Sequence, residues 1–249
     1  MKIIIAPAKK MLVDTDTFAV AALPLYLTHT QLILQALRRL SYPAAKTLWH
    51  CSDRLAQINY DWLQHLELTQ NLTPALFSFS GIQYQYMAPD IFTAPALAYC
   101  QENLRLLSGF YGSLRPFDGV VPYRLEFQAK LSVAGTNNLY DFWGDRLYQA
   151  LQLGPTEPVI NLASEEYAKA IYPYMQPQQP FITIVFASLV NGKLKTKATL
   201  AKMARGAMVR FLAEHQVTDI ATIQQFDHPD YYFDSAHSTA TRLVFCYKK

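Results

Sequence analysis

No Asp or Glu occurs between Tyr167 and Ala213, a stretch of 47 residues that carries seven Lys and Arg residues. The whole chain has a formal net charge of only +3, so its positive charge is concentrated in this segment. A local excess of that kind indicates a surface that binds a polyanion, and nucleic acid is the partner we expect. The competing interpretation is one strand and one solvated helix that are basic only for solubility.

Cysteine is scarce, and its three residues, Cys51, Cys100 and Cys246, are far apart. This excludes a disulfide framework and a cysteine-rich zinc site, and it favours a reducing cytoplasm. Asp and His residues gather between 227 and 237, but no His-x-x-x-His pair or comparable ligand spacing occurs there. We therefore expect a polar surface loop in that segment, and neither a metal nor another cofactor in the protein.

The chain has no run of about 20 predominantly apolar residues, which a membrane-spanning helix requires. Its two uncharged stretches, 17–37 and 170–192, are interrupted by Pro24 with polar side chains and by Pro-Gln-Gln-Pro at 177–180. Hydrophobic residues make up 51% of the chain and charged residues only 16%, which indicates either a large buried interior or an apolar cleft. We expect no membrane association and a single domain spanning residues 1–249.

Strand and helix patterns follow one another without a regular βαβ alternation, which predicts one mixed α/β domain with a sheet flanked by helices. The predicted strands are Lys2–Ala6, Val159–Ala163, Phe181–Val190 and Arg242–Tyr247, with a further strand at Lys193–Lys197 joined through the hairpin signal Asn191-Gly192. The predicted helices are Pro24–Leu40, Pro43–Arg54, Pro95–Leu107, one that begins at Ser164, and one that follows Lys197.

The basic hairpin and the helix after it form the first candidate site. Lys193, Lys195 and Lys197 alternate along a strand, so their side chains point to one face. The helix that follows is predicted to bury Leu200, Met203, Ala204, Ala207 and Phe211 and to expose Lys202, Arg205 and Arg210 on another side. We expect one continuous basic surface. Gly206, in mid-helix, indicates a close backbone approach by a neighbouring element, the more common reason, or by a ligand.

A second candidate lies between Leu48 and His65. A helix is predicted to end at Arg54-Leu55, to turn through Ala56–Asn59 and to restart toward Trp62. This pattern is similar to a helix-hairpin-helix element, in which backbone N–H groups bind a DNA phosphate. Gln57 occupies the position where such hairpins normally have Gly, so an ordinary helical hairpin is the alternative.

The segment Leu104–Glu126 combines Gly, Pro, Arg and aromatic residues, which predicts an irregular and well-defined path. Arg115 and Arg124 could bind phosphates there, or could pair with Asp118 and Glu126.

Three loops are predicted to form a small pocket, because ligands in α/β proteins bind where strands end. They contain Pro7–Lys9, Trp143–Asp145 and Asn161–Ser164. Lys9 could act as a nucleophile or as an anion clamp. The sequence reveals no base or orienting partner for it, so Lys9, Asn161 and Ser164 are catalytic candidates without an assigned reaction.

Five motifs in order resemble those of the YaaA family of bacterial peroxide-stress proteins over essentially the whole chain. They are Ile-Ala-Pro-Ala-Lys-Lys-Met, Leu-Ser-Gly-Phe-Tyr-Gly-Ser-Leu-Arg-Pro-Phe-Asp with Pro-Tyr-Arg-Leu-Glu, Leu-Tyr-Asp-Phe-Trp-Gly-Asp, Val-Ile-Asn-Leu-Ala-Ser-Glu-Glu-Tyr and Ala-Arg-Gly-Ala-Met-Val-Arg-Phe. The chain departs from the family pattern at Gln57, at Phe79–Tyr84 and at Phe127–Leu131.

The resemblance implies a cytoplasmic protein that limits damage from hydrogen peroxide and unincorporated iron. It also implies DNA binding through a positively charged cleft and a helix-hairpin-helix element, on a single-domain α/β fold. Carried onto this chain, the hairpin falls on Arg54, Gln57 and Asn59, and the cleft uses Lys9, Arg124, Lys202, Arg205 and Arg210. An enzyme acting on a nucleic acid or nucleotide through Lys9, Asn161 and Ser164 is the alternative.

Overall fold

The computed structural model describes residues 1–248. Its strands are β1 (Lys2–Ile5), β2 (Lys10–Met11), β3 (Thr73–Pro74), β4 (Phe79–Ser80), β5 (Leu104–Ser108), β6 (Gly112–Leu114), β7 (Gly119–Val120), β8 (Val159–Asn161), β9 (Phe181–Val190), β10 (Lys193–Lys195), β11 (Tyr231–Phe233) and β12 (Arg242–Tyr247). Its α-helices are α1 (Leu27–Arg38), α2 (Tyr42–Trp49), α3 (Asp53–His65), α4 (Ala75–Ser78), α5 (Ile82–Met87), α6 (Ala94–Asn103), α7 (Leu139–Trp143), α8 (Arg146–Gln149), α9 (Glu165–Ala168), α10 (Ala198–Glu214) and α11 (Ile220–Ile223).

One mixed sheet organises the molecule, with strand order β11-β12-β9-β8-β1-β5-β6 and β10 paired to β9. The five strands from β12 to β5 are parallel to one another, and the outer strands are antiparallel. The central strand β1 buries Ile3, Ile4 and Ile5 completely, as expected for a strand covered on both faces. The predicted mixed α/β class is confirmed.

The hairpin at residues 191–192 is also confirmed. Asn191 and Gly192 both have positive φ, 51° and 73°, the conformation of a tight turn that matches the twist of its strands. The turn pairs Lys193 with Val190 and Lys195 with Ser188.

The predicted helix Pro95–Leu107 is too long. Helix α6 ends at Asn103, and Leu104–Ser108 forms the buried strand β5, which pairs in parallel with β1. Pairing with β1 satisfies the backbone groups of this apolar segment, and local sequence does not reveal that pairing.

The predicted turn at Ala56–Asn59 is wrong, because these residues lie inside the continuous helix α3. The turn between α2 and α3 lies at residues 50–52, where His50 adopts a left-handed conformation with φ of 44°. Gln57 donates from Nε2 to Asp61 one turn later at 2.9 Å, and Asn59 donates to the Leu55 carbonyl at 2.7 Å.

Helix α10 packs against α5, α6 and β9, so it is covered on more than one side. Its fully buried positions include Ala201, Met208 and Leu212, whereas the predicted apolar residues Leu200 and Phe211 are only partly buried. The buried face is therefore rotated relative to the prediction. Arg205, predicted to face solvent, is instead half-buried.

Candidate functional site

A cavity of about 720 Å³ opens at the carboxyl edge of the parallel sheet. Its floor includes Ala6–Lys10, which follow β1, and Ser164, which follows β8. Its walls come from elements distant in sequence, namely 48–50 at the end of α2, 80–84 at the start of α5, 123–129, and one face of α10. Loops at this edge of α/β sheets are the usual position of ligand sites.

Positive charge dominates the lining of the cavity. Five cations contribute to it: Lys9, Lys10, Arg124, Lys202 and Arg205. Two carboxylates, Glu126 and Glu166, also line it. Lys9 Nζ lies 3.0 Å from Glu126 Oε1, and within residues 1–248 no other cation of the set forms an ion pair. The lining therefore contains five cationic and two acidic side chains.

Arg205 is the most unusual of these cations. Its Nε is buried and has no hydrogen-bond acceptor in residues 1–248. Burial lowers the pKa of its guanidinium, because the charged form loses hydration. The chain satisfies other sheltered arginines: Arg105 donates to three backbone carbonyls, and Arg38 donates to Leu63 and Leu66. Arg205 is thus a partly desolvated cation without an internal partner.

Gly206 explains why Arg205 lies so deep. A Cβ at this position would overlap the carbonyl oxygen of Gln83 and crowd the backbone nitrogen of Met87. The missing side chain lets α10 approach the backbone of α5 directly, which is the packing role predicted for this glycine. Arg205 and Gln83 are brought to the same wall of the cavity as a result.

Two further N–H donors in the lining have no acceptor in the described chain. They belong to Gln83 and Trp49, whose side-chain nitrogens Nε2 and Nε1 are buried and unpaired. Both residues are more than nine-tenths buried. Such groups are rare in native proteins because each forfeits hydration without replacement.

Glu166 is one of the two carboxylates in the lining. Burial, the largest effect, raises the pKa of its carboxyl, and the nearby Glu126 adds to the rise. The backbone N–H of Gln128 donates to Glu166 Oε1 at 3.2 Å and partly offsets it. A sheltered carboxyl that is easily protonated is suited to proton transfer or to hydrogen bonding of a polar ligand.

The chain is similar to known proteins over almost its whole length. Residues 1–237 match the family model described as "Peroxide stress protein YaaA". The chain belongs to the YaaA peroxide stress protein family. It is 68% identical to a "UPF0246 protein" of Lactiplantibacillus plantarum over 248 residues, covering 100% of both chains. A "UPF0246 protein" of Lacticaseibacillus paracasei is 56% identical, again with 100% of both covered, and one of Agathobacter rectalis is 44% identical over 98% of each.

In this YaaA-family chain the cavity contains several of the predicted site residues: Lys9, Arg124, Ser164, Lys202 and Arg205. Asn161 is not among its lining residues. It is buried, donating from Nδ2 to Thr183 at 3.2 Å and accepting the N–H of Ala163 at 2.9 Å. Trp143, from the predicted loop Trp143–Asp145, is also buried, is not among the lining residues, and donates to the Gly109 carbonyl.

The remaining predicted cations lie outside the cavity lining. Lys193, Lys195 and Lys197 are exposed on the hairpin and at the beginning of α10. Arg210 pairs with Glu214 on its own helix at 2.8 Å, and Arg54 is exposed on α3. Arg115 forms an internal pair with the buried Asp118 at 3.1 Å, the alternative considered for it from sequence.

Sequence reasoning did not find Trp49, Gln83 or Glu166. Gln83 lies in Phe79–Tyr84, one of the segments that depart from the family pattern, and this departure was the available signal. Glu166 lies in the motif Val-Ile-Asn-Leu-Ala-Ser-Glu-Glu-Tyr, which indicated the family but no role for this residue, and Trp49 carried no local signal.

No helix within residues 1–248 is long and apolar enough to cross a membrane. The same residues contain no group of three or more His, Cys, Asp or Glu side chains placed to hold a metal ion.

Proposed function

We propose that this YaaA-family protein binds DNA during hydrogen peroxide stress and thereby limits peroxide- and iron-dependent damage. The observation that carries the proposal is the convergence of five cations on one cavity that contains a single ion pair. Unpaired Lys and Arg side chains bind phosphates of the DNA backbone without reading the sequence.

The mouth of the cavity supplies the proposed contacts. Lys10 and Lys202 are exposed and unpaired within the described chain, and Arg124 is half-buried beside them in the lining. Lys197 precedes Lys202 by five residues, which corresponds to about 7.5 Å along a helix axis. We propose no cavity contact for the exposed lysines of the hairpin, since none of them is among the lining residues.

The element Tyr42–His65 supports the proposal only as a helical hairpin. Its turn lies at 50–52, and His50 lines the cavity there. The backbone N–H groups of this element that are free to bind a phosphate are those at the start of α3, near Asp53, and not that of Gln57. An acidic residue in this first turn disfavours a phosphate, so we assign the main contacts to the cations of the mouth.

A salt titration of duplex binding tests the proposal. Fluorescence anisotropy should give affinities that fall steeply with salt and vary little with DNA sequence. Replacing Lys10 and Lys202 together by Ala should flatten the slope of log K against log salt by about 1.8, since each phosphate contact contributes about 0.9. The matched control R39A/R242A removes the same charge from exposed residues outside the cavity lining.

An equal change in the control would place the contacts elsewhere, and absence of salt-dependent binding would refute the proposal. In cells that lack the native gene, K10A/K202A should protect less well than the wild-type protein against added hydrogen peroxide.

An enzyme acting on a nucleic acid or nucleotide is the second candidate function, and the observation that favours it is Glu166. A carboxyl with a raised pKa in a polar cavity can serve as a general acid. Incubation with nucleotides and oligonucleotides, followed by product analysis, tests it. Turnover that disappears in E166Q while ligand binding persists would support this function.

A further inference from the structure

Three residues that line the cavity carry side-chain donors without acceptors. Arg205 Nε, Gln83 Nε2 and Trp49 Nε1 are each buried and unpaired within residues 1–248, and all three residues line the same space. Only one other side-chain atom of the described chain, Ser113 Oγ, is in this condition. Such clustering at one cavity indicates that the missing acceptors belong to a ligand.

We propose that this cavity is a nucleotide-binding site, in which Arg205 and Lys202 bind the phosphate and Gln83 and Trp49 contact the nucleoside. This site goes beyond the duplex contacts proposed above. It shares Lys202 with them, whereas Arg205, Gln83 and Trp49 belong to the nucleotide site alone.

Arg205 favours an anionic partner. Its buried Nε has no acceptor in residues 1–248, the residue as a whole is half-buried, and the close approach at Gly206 holds it at the cavity. A phosphate has several acceptor oxygens. The planar guanidinium of Arg can donate two parallel hydrogen bonds to them. Lys202 lies one helical turn before Arg205 and lines the same cavity, so it can bind the same group.

Size and polarity indicate a nucleotide rather than a simple anion. A volume of about 720 Å³ falls in the range of cofactor and small-molecule sites. Aromatic side chains of Trp49, Tyr84, Tyr123 and Tyr167 contribute to the lining and offer surface for a planar ring.

Hydrogen-bonding groups of both kinds are present near the aromatic surface. Gln83 and Trp49 provide donors, whereas Glu126 and Glu166 provide acceptors. A base with carbonyl, ring nitrogen and amino groups, attached to a hydroxylated sugar, can use both kinds. Inorganic phosphate has no base or sugar to place against the aromatic side chains.

Isothermal titration with defined probes tests the inference. Adenosine and guanosine 5′-monophosphates should bind at least about tenfold more tightly than inorganic phosphate or the free nucleosides, because each half of the ligand adds its own contacts. A nucleotide present at about a hundred times its Kd should raise the melting temperature by about 5–10 °C. A 5′-phosphorylated tetranucleotide serves as the strand-derived source of the same group.

Variants of α10 test whether the nucleotide binds in this cavity. R205M should weaken nucleotide binding by about tenfold or more, because a charge-assisted hydrogen-bond partner is lost. R210M, on the same helix but paired with Glu214 and outside the lining, should bind as the wild type does. Without ligand, R205M should melt no lower than the wild type, since it removes an unpaired buried N–H. If R205M nevertheless fails to fold, Q83L provides the second variant, with an expected loss of discrimination between nucleotide and phosphate.

Each outcome decides the inference. Binding of either nucleotide or tetranucleotide with loss in R205M supports it, and their relative affinities identify a free or a strand-derived ligand. Equal affinity for inorganic phosphate, equal loss in R210M, or no binding of any probe overturns it. Duplex titration of single variants separates the two proposals, because K10A should impair duplex binding and leave nucleotide binding unchanged, whereas R205M should impair nucleotide binding.

Discussion

Gly206 lies directly against the backbone of Gln83, with no space between them for a side chain. This contact sets the distance between α10 and α5. It also determines that Arg205, the neighbour of Gly206 in the chain, lines the cavity instead of extending into solvent. The electrostatic character of the site therefore depends on a residue that carries no functional group.

Replacing Gly206 by Ala should destabilise the protein by about 1–3 kcal/mol, because overpacking against backbone outweighs the helical preference of Ala. Urea unfolding measures the change. Gly154→Ala is the control, since a Cβ there meets only Glu157 at 3.7 Å or more and should alter stability by less than about 0.5 kcal/mol. A neutral or stabilising Gly206→Ala would show that α5 yields easily and that the close approach is unimportant.

Gln57→Gly should lower stability by about 1 kcal/mol without increasing DNA affinity, because Gln57 lies inside α3 and Gly is a poor helix former. Thermal unfolding tests the expected loss of stability, and fluorescence anisotropy on the same samples tests the expected absence of a gain in DNA affinity. Gln57→Ala, which also loses the hydrogen bond to Asp61 but favours the helix, should be nearly neutral. Tighter DNA binding by the Gly variant alone would restore residues 56–59 as a phosphate-binding hairpin.

Glu166 should make stability depend on pH. Its pKa is raised in the folded protein, mainly by burial, so the folded state binds its proton more strongly than the unfolded state does. The contribution of Glu166 to the free energy of unfolding is therefore most favourable below the ordinary pKa of Glu. This contribution is lost as the pH rises through the pKa of Glu166 in the folded protein.

The melting temperature of Glu166→Gln relative to the wild type should consequently increase from pH 4 to pH 7. The neighbouring Glu165 is exposed, so Glu165→Gln should show no such trend. A difference for Glu166→Gln that does not change with pH would contradict burial of its charge.

Cys100 and Cys246 should resist oxidation by hydrogen peroxide. Both are buried, and burial raises the pKa of Cys100 to about 12 and that of Cys246 to about 11, the latter with help from Asp234. Little thiolate, the reactive form, is then present at neutral pH. Mass spectrometry after peroxide treatment should find modification first at the half-buried Cys51. Preferential oxidation of Cys100 or Cys246 would require opening of the fold.

Features that depend only on residues close together in the chain were predictable from the sequence alone. The apolar run of β1, the long strand β9 and the Asn191-Gly192 turn follow from local preferences that the tertiary fold does not oppose. The five ordered motifs identified the family, and the acid-free tract located the cations of α10. Loops at strand ends correctly predicted Lys9 and Ser164 as neighbours of one cavity.

The tertiary structure decided which of those cations meet and what they face. Leu104–Ser108 is a strand because β1 lies beside it, and Arg205 is sheltered because α10 packs on α5 at a glycine. Periodicity within one helix records one apolar face, and it cannot describe a helix covered on several sides. Trp49, Gln83 and Arg205 come from segments that are far apart in the chain. Only the packing of the tertiary structure brings them to one cavity.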